Sequence, residues 1–324
     1  MDPLSDVLSL LKPRSYGCGG IDTGGEVSIH FPQHDGIKCY AVVSGRAWLV
    51  VDGVAEAVHL ATGDCFVLPR GLPFRLTSDL SLPSVDYRTV LADRPPGIVI
   101  SFNGGGDCMI VGGHFALDGL HAEMLLGVLP PIVHLRTDAD RVSLRWSLDR
   151  MMHELREPQP GGLLVIEHIA QVMLVQALRL HMREAGNGRV GWLFALSDRQ
   201  MGSAISAMHA APSQRWTLAS LAACAGMSRT SFATRFKQTV GASPIDYLTR
   251  WRMMVAGEKL LHSREAISAI ASALGYDSES AFSTAFKRVM GCSPRQYGRQ
   301  RGSRLANSVG VPSGGAHSQE LIAA

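Results

Sequence analysis

Positive charge in this 324-residue chain is concentrated in one segment. Residues 212–301 contain 13 lysines and arginines against 5 aspartates and glutamates, a net charge of +8. Residues 1–211 contain 17 against 22, a net charge of −5, so the whole-chain value of +3 conceals the contrast. Lysine and arginine replace the counterions around nucleic-acid phosphates, so a compact basic module favours a phosphate-binding function.

The basic segment contains an internal repeat. Its two copies share apolar residues at helical spacing, a glycine, two phenylalanines one turn apart, a lysine, a second glycine, a Ser-Pro pair and a tyrosine. The first copy is Leu218, Leu221, Ala222, Gly226, Phe232, Phe236, Lys237, Gly241, Ser243, Pro244 and Tyr247. The second is Ile267, Ile270, Ala271, Gly275, Phe282, Phe286, Lys287, Gly291, Ser293, Pro294 and Tyr297.

Each copy predicts a helix, a turn and a second helix. The first helix ends at a glycine, which most readily takes the left-handed conformation that closes a helix. Ser228 and Ser278 are suited to cap the second helices, and the paired phenylalanines give each an inward stripe. Each Ser-Pro pair predicts the start of a further helix. This is the helix-turn-helix plan, whose second helix enters the DNA major groove; similar pairs occur in bundles that do not bind DNA, but the charge favours DNA.

The repeat resembles the DNA-binding domain of the AraC/XylS family of bacterial transcription regulators, in which a long helix joins two helix-turn-helix units. Its most specific residues are Gly275-Tyr276, Ser280-Ala281-Phe282, Phe286-Lys287, Gly291 and Ser293-Pro294. The joining helix is expected from Ile245 to about His262, roughly 25 Å long, enough to set two recognition helices in successive major grooves. The resemblance implies double-stranded DNA and RNA polymerase as partners.

The resemblance also assigns residues within the two recognition helices. The groove-facing positions are Arg229, Thr230, Ala233, Thr234, Glu279, Ser280, Ala281 and Thr284. The positions expected to touch phosphates are Lys237, Lys287 and Arg288. Thr234 and Thr284 stand where the family often has arginine, so base readout would rely on methyl contacts, water or a contact from Glu279 to cytosine.

The N-terminal part reads as short strands broken by turns, which predicts a sandwich or barrel. Asp52-Gly53 is a hairpin signal. The expected strands are residues 27–31, 39–43, 47–51, 57–60, 65–68, 74–77, 87–91, 98–102 and 108–111.

Two segments resemble cupin motifs. Residues 63–71 are similar to the second motif, and residues 43–49 to the end of the first. The match fits the sensory domain found at the N-terminus of many AraC-family regulators. It implies a multidomain fold: an all-β cupin-like barrel over residues 1–130 with following helices, then an all-α domain with two helix-turn-helix units over residues 212–301.

The cupin metal ligands are missing. Lys38 and Tyr40 stand near the two closely spaced histidines of a metal-binding cupin, and Phe74 stands where its later histidine would be. We therefore expect no metal, no other cofactor and no enzyme activity. The alternative is a cupin enzyme fused to a DNA-binding domain. His30 and His34 remain possible ligands, or are solvated or hydrogen-bonded histidines. A cupin without metal can still hold a small-molecule effector in its barrel mouth. The candidate ligand-binding residues, otherwise ordinary core or rim, are Lys38, Tyr40, Trp48, Phe66 and Phe74.

Residues 131–211 are expected to be helical, with helices over residues 138–157, 163–183 and 191–209. The apolar stripe of the second helix either forms a homodimer interface or packs within the chain. It consists of Ile166, Ile169, Met173, Leu174, Ala177 and Leu180.

Six cysteines stand at positions 18, 39, 65, 108, 224 and 292, without the spacing of a zinc site or a disulfide framework. We expect them to be reduced and mostly buried. The alternative is a redox-responsive regulator that uses the N-terminal cysteines Cys18, Cys39, Cys65 and Cys108.

The protein is expected in the cytoplasm and not in a membrane. The most apolar helix contains Glu167, His168 and Arg179, which a bilayer span would have to bury. The N-terminus lacks the basic start and apolar core of a signal peptide. Residues 302–324 are rich in small and polar types, and we expect a disordered tail.

Overall fold

The computed structural model describes residues 2–11, 14–91, 95–116, 129–184 and 190–299. These residues form two compact units. One consists of the described residues up to 207 together with 218–244, and the other of residues 208–217 and the described residues from 245 onward. The tail over residues 302–324, predicted to be disordered, lies outside the described residues.

Eleven strands are present among the described residues, arranged in two mostly antiparallel sheets. They are β1 Arg14–Thr23, β2 Ser28–Phe31, β3 Ile37–Ser44, β4 Arg46–Val51, β5 Val58–Ala61, β6 Cys65–Leu68, β7 Phe74–Thr77, β8 Val85–Asp86, β9 Val99–Phe102, β10 Cys108–Ala116 and β11 Val133–Leu135. One sheet has the order β11-β6-β3-β10-β1-β9 and the other β5-β4-β7-β2-β8. The predicted all-β domain is therefore present, as two sheets instead of one closed barrel.

One hydrophobic core contains buried residues from both sheets. In β4, Ala47, Leu49 and Val51 are buried and alternate with more exposed positions, as the two-residue period of a strand requires. Phe66 and Ile110 of the first sheet belong to the same core. Burial of these apolar faces is the main stabilisation of the domain.

Strand β1 was missed by the sequence analysis because glycines interrupt its pattern. It contains Gly17, Gly19 and Gly20, yet it pairs with both β10 and β9. A Cβ on Gly20 would lie only 2.9 Å from Val111 Cγ1 of β10, so the glycine allows close approach of the strands. Helix α1, Pro3–Leu11, and strand β11 were also not expected.

The strand predicted over residues 87–91 is wrong, because helix α2 occupies Tyr87–Leu91. The Asp86 carboxylate accepts a hydrogen bond from the Arg88 N–H at 2.8 Å, and the Thr89 hydroxyl donates to the Asp86 carbonyl at 2.6 Å. These local bonds favour a turn and helix start over an extended strand.

The turn between β5 and β6 is part of the second cupin-like motif. It is bonded to the next helix, α3, Asp138–Arg156, through Asp64. The Asp64 carboxylate accepts hydrogen bonds from Arg141 at 2.9 Å and from the Ala61 N–H at 3.0 Å, and lies 3.0 Å from His134 Nε2. Burial alone would raise the pKa of Asp64, but these hydrogen bonds outweigh it and lower the pKa below its usual value. The motif therefore has a structural role here.

Helix α4, Gly162–Glu184, covers the first sheet, where it packs against β1, β3, β6, β10 and β11. The stripe considered for a homodimer interface is buried within the unit, so the intramolecular alternative is correct for it. By length and composition alone, residues 162–183 are apolar enough to cross a membrane, a test that buried core helices also pass.

The single helix predicted over residues 191–209 is broken into α5, Trp192–Ala195, and α6, Arg199–Ala210. Asp198 causes the new start, since its carboxylate accepts hydrogen bonds from the N–H groups of Gln200 and Met201. This is the side-chain capping that begins a helix.

The remaining helices follow the predicted repeat. They are α7 Leu218–Cys224, α8 Arg229–Val240, α9 Pro244–His262, α10 Ile267–Ala273 and α11 Glu279–Met290. The joining helix, α9, agrees with the prediction to within one residue. In the second unit, Met253 of α9, Ile270 of α10 and Phe282 and Phe286 of α11 share one core with Tyr297.

We expect Gly112→Ala to destabilise the β domain. A Cβ at this position would overlap the Cys39 carbonyl oxygen and lie 2.6 Å from Tyr40 Cδ1. Overpacking of this kind costs about 1–3 kcal/mol. Gly17→Ala on the neighbouring strand is the matched control, because its Cβ would meet His114 Cβ at an ordinary 3.8 Å. Chemical denaturation followed by circular dichroism measures both, and equal midpoints for the two variants would show that this close approach is not required.

Candidate functional site

The first candidate surface lies on α8. Ser228 caps this helix, since its hydroxyl accepts the Ser231 N–H at 3.3 Å, and Gly241 ends it with φ of +83°. Both predicted boundaries are confirmed. Phe232 and Phe236 are fully buried with ring centroids 5.4 Å apart, which fixes the rotation of the helix. The opposite side must therefore face outward.

The sequence-predicted residues of α8 lie on that outward side. Ala233 is half-buried, and the others are exposed: Arg229, Thr230, Thr234 and Lys237. Lys237 lies in the last turns of the helix, whereas Arg229 and Thr230 lie in its first turn. Helix N-termini are the ends that most often reach base edges.

The second candidate surface lies on α11, built in the same way. The Ser278 hydroxyl accepts the Ala281 N–H at 3.1 Å, and Gly291 ends the helix with φ of +76°. Phe282 and Phe286 are fully buried. The exposed residues include every predicted position: Glu279, Ser280, Ala281, Thr284, Lys287 and Arg288.

Thr284 is restricted in what it can recognise. Its hydroxyl donates to the Ser280 carbonyl at 3.0 Å, which uses its one proton within the helix. The oxygen can still accept a hydrogen bond, and the methyl group remains available. Thr284 is therefore suited to a base-edge amino group or to a thymine methyl.

Sequence reasoning missed the residues that hold α7 and α8 against α6. Arg235 of α8 donates to Asp198 and to Gln200, each at 2.6 Å. Gln200 and Ser203 donate to backbone carbonyls at the end of α7, at 3.1 and 3.0 Å. These bonds satisfy carbonyls that a helix end leaves open. The hydrogen bonds join residues before position 212, our predicted start of the DNA-binding domain, to residues after it. The sequence contains no local signal for pairs so far apart.

Arg252 was also missed, and it has the corresponding role in the second unit. Its guanidinium donates to the carbonyls of Pro212 and Gln214, at 2.6 and 2.8 Å. It also lies over the ring of Tyr276, 5.6 Å from the centroid. The turn before α11 is thereby fixed to the start of this unit.

A separate cavity of about 300 Å³ lies in the β domain. Glycines of β1 and β10 make room for it, and most of its wall is apolar. Its principal side chains are Ile21, Phe31, Lys38, Tyr40, Leu76, Tyr87, Ile98, Ile100, Ile110 and His114. This size and polarity suit a small organic ligand.

Lys38 is the buried cation of this cavity, with 8% of the residue exposed. Its Nζ lies 4.9 Å from the ring centroid of Phe31 and 5.0 Å from that of Phe74. The two rings stack in parallel with centroids 4.5 Å apart. Burial lowers the pKa of Lys38 from 10.5 to about 8, so the ammonium form still dominates at neutral pH.

Two histidines lie near Lys38. The rings of His34 and His114 are 5.3 Å apart, and His114 Nε2 lies 2.6 Å from the Asp35 carbonyl oxygen. Burial lowers the pKa of His34 to about 3 and that of His114 to about 4, with smaller effects from neighbouring positive charges. Both histidines are therefore neutral at pH 7.

The five predicted ligand residues are only partly brought together. Lys38 and Tyr40 line the cavity. Phe74 lies behind Lys38, Phe66 is fully buried beside Tyr40, and Trp48 packs on His59 away from the cavity. Tyr87 and His114 were missed because their positions depend on α2 and on the pairing of β10 with β3.

The N-terminal cysteines are buried, as predicted. A hydrogen bond with Cys39, together with burial, raises the pKa of the Cys65 thiol well above its usual value. Burial, with the charges of Asp22 and Asp107, raises the pKa of Cys108 to about 11. Thiols of high pKa react slowly with oxidants because the thiolate is the nucleophile.

The described residues contain no group of three or more histidine, cysteine, aspartate or glutamate side chains that could hold a metal ion. His30 lies on β2 opposite Arg75, whereas His34 lies beside Phe74 and His114.

Known protein families match both parts of the chain. Residues 2–183 match the family described as Cupin, and residues 221–300 the family described as Helix-turn-helix domain. The chain is 41% identical over 282 residues to a Streptomyces lividans protein described as an AraC-like transcription regulator, covering 87% of this chain and 92% of the relative. A Streptomyces antibioticus protein of the same description is also 41% identical over 282 residues, covering 87% and 93%.

A more distant relative is the HTH-type transcriptional regulator AlkR of Acinetobacter baylyi, 27% identical over 289 residues and covering 87% of this chain and 94% of the relative. These matches extend over the β domain, the intervening helices and the basic repeat. The chain therefore belongs to the AraC-like family of DNA-binding transcription regulators, with an N-terminal cupin domain and a C-terminal helix-turn-helix domain.

Proposed function

We propose that this regulator reads an operator with α8 and α11 and that a small molecule in the cupin cavity controls its activity. The observation that carries the DNA part is the pair of capped helices, each with two buried phenylalanines and an exposed opposite face. The observation that supports effector control is the cavity with a buried cation in its wall.

Within the DNA surface, we assign two roles. Arg229, Thr230, Ala233 and Thr234 of α8 face base edges, as do Glu279, Ser280, Ala281 and Thr284 of α11. Lys237, Lys287 and Arg288 contact phosphates, because they are exposed cations in the later turns of their helices. Phosphate contacts set orientation and salt dependence, whereas base contacts set sequence preference.

The redox alternative has less support. The four N-terminal cysteines are buried, and the raised thiol pKa values of Cys65 and Cys108 disfavour the reactive thiolate. We also propose no catalytic role for the cupin domain, since Lys38, Tyr40 and Phe74 cannot provide the imidazole and carboxylate ligands of a cupin metal centre.

Further features of the proposal follow from the family. The regulator acts in the cytoplasm, contacts RNA polymerase at its promoters and forms a homodimer. The apolar stripe of α4 is buried within the unit, so the dimer uses another surface.

Lys237→Ala should weaken binding to all DNA sequences together. Removal of one phosphate contact reduces the slope of log K against log salt by about one unit. Lys259→Ala is the matched control, because Lys259 lies on α9 and pairs with Glu265 at 3.0 Å. Fluorescence anisotropy of the full chain on a duplex selected from a randomised library measures both. An unchanged slope for Lys237→Ala would remove this residue from the phosphate-binding set.

Thr234→Ala should instead change base preference. We expect a change of roughly 1–3 kcal/mol at one or two base pairs with the salt slope nearly unchanged. Competitive binding to a saturation library of the selected duplex measures the profile. If Thr234→Ala, Arg229→Ala and Thr284→Ala all leave the profile unchanged, the recognition helices present a different face to DNA.

Ile100→Trp should fill the cavity and alter regulation. Ile100 lines the cavity from β9, and indole is large enough to occupy much of its volume. Ser101→Trp is the matched control, since Ser101 is exposed and points to the other side of the strand. Genome-wide DNA occupancy and transcript levels are compared for the full-length variants at equal abundance. Effector control is refuted if both variants reproduce the wild-type response in every growth condition.

A further inference from the structure

The cupin cavity contains a positive charge that has no counter-ion among the residues that the structure describes. Among the lining residues described by the structure, Lys38 is the one that is ionised at neutral pH, because His114 is neutral there. Its Nζ lies over the faces of Phe31 and Phe74. Within the described part of the chain, no carboxylate forms an ion pair with Lys38.

This arrangement leaves the ammonium incompletely compensated. Cation–π contacts with the two rings compensate only part of the lost hydration of a buried ammonium. Removal of an ammonium from water has a large free-energy cost, which is why burial lowers the pKa of Lys38. An anion delivered to this position would recover a large part of that cost.

The wall around Lys38 restricts the kind of anion. It consists mainly of isoleucine, leucine, phenylalanine, tyrosine and proline side chains and glycine backbone. One cation balances one negative charge, so a phosphate dianion or a dicarboxylate would bury an unpaired charge. The volume of about 300 Å³ lies at the lower end for ligand sites, which favours a small body.

The position of His34 gives a second indication of a polar ligand group nearby. Both its ring nitrogens are buried, and their one polar neighbour among the described residues, the Pro32 backbone, lies outside good hydrogen-bond geometry. Buried polar atoms in native structures are normally satisfied by protein, water or ligand. His34 lies against His114, which lines the cavity on the strand next to Lys38.

From these observations we propose that the cavity binds a small monocarboxylic acid with an apolar aryl or alkyl body, whose carboxylate pairs with Lys38. The apolar body lies against Ile98, Ile100 and Tyr87. The regulatory meaning of this site rests on the function proposed above, but the binding chemistry does not.

The test is calorimetric titration of the full-length chain with a panel of probes: benzoate, phenylacetate and the straight-chain acids from butyrate to decanoate. Each acid is paired with its primary amide, a neutral analogue of nearly the same shape. At least one acid should bind about tenfold or more tightly than its amide. No saturable binding of any acid at millimolar concentration, or equal binding of acid and amide, overturns the proposal.

Variants of Lys38 test the role of the charge. Lys38→Met keeps a long apolar side chain and should weaken binding of that acid about tenfold or more while it leaves the amide unchanged. Lys38→Arg retains the charge and should preserve preference for the acid. Thermal denaturation without ligand shows whether each variant is folded. If Lys38→Met is unfolded, the test is the affinity of Lys38→Arg for the acid relative to the amide: loss of the preference for the acid contradicts the proposal. Wild-type affinity of the acid for folded Lys38→Met contradicts the assignment.

Acid binding at Lys38 and effector control of DNA binding can fail independently of each other. If the acid binds through Lys38 and yet leaves DNA occupancy and transcription unchanged, the site stands and effector control by it fails. If Ile100→Trp alters regulation but the acids do not bind, effector control stands and the acid assignment fails.

Discussion

The DNA-binding surfaces depend on two phenylalanines placed one helical turn apart in each copy of the repeat. Phe232 and Phe236, and likewise Phe282 and Phe286, are completely buried. A helix with two large rings fixed on one side has no freedom to rotate, so the residues on its other side have a determined direction. Serine caps and left-handed glycines then fix where each helix begins and ends. The outward-facing residues can therefore change without loss of the fold, so one scaffold can carry different surfaces.

In the cupin domain, glycines have the corresponding role, because they determine where backbone can approach and where space remains. Gly112 allows β10 to lie against β3, and the glycines of β1 form part of the cavity wall. The domain matches the cupin family, and Lys38 and Tyr40 lie on β3 and Phe74 on β7. The Lys38 ammonium lies beside the stacked rings of Phe31 and Phe74, about equally far from each. The cavity thereby has one positive charge in a mostly apolar wall.

Prediction from sequence was most successful where the signals are local. The helix boundaries at Ser228, Gly241, Ser278 and Gly291 depend on capping within a few residues, and all four were found. Strand β1 was missed because its glycines interrupt the alternation of apolar and polar residues that indicates a strand. Its partners β9 and β10 are also distant in sequence, so no local signal indicates the pairing. The cavity was half predicted: Lys38 and Tyr40 follow from the motif, whereas His114 and Tyr87 join them only through strand pairing and an unexpected helix. The ion pair between Arg235 and Asp198 could not be predicted either, because the two residues are far apart in the sequence.

An effector can shift a regulator only if it interacts differently with two states of the protein. The segment before β9 is a physical route for such a difference, because Ile98 lines the cavity and the adjacent Gly97 packs against α4. A Cβ on Gly97 would lie 3.0 Å from Leu163 Cδ1 and 3.8 Å from Ile166 Cδ1. If a ligand displaced this segment toward α4, the backbone at Gly97 would press on Leu163 and Ile166 in the first turns of that helix. The opposite end of the same sheet is held by the ion pair of Asp64 with Arg141 of α3, and α3 packs along α4. These contacts connect one wall of the cavity and the far end of the sheet to the two helices that follow the β domain.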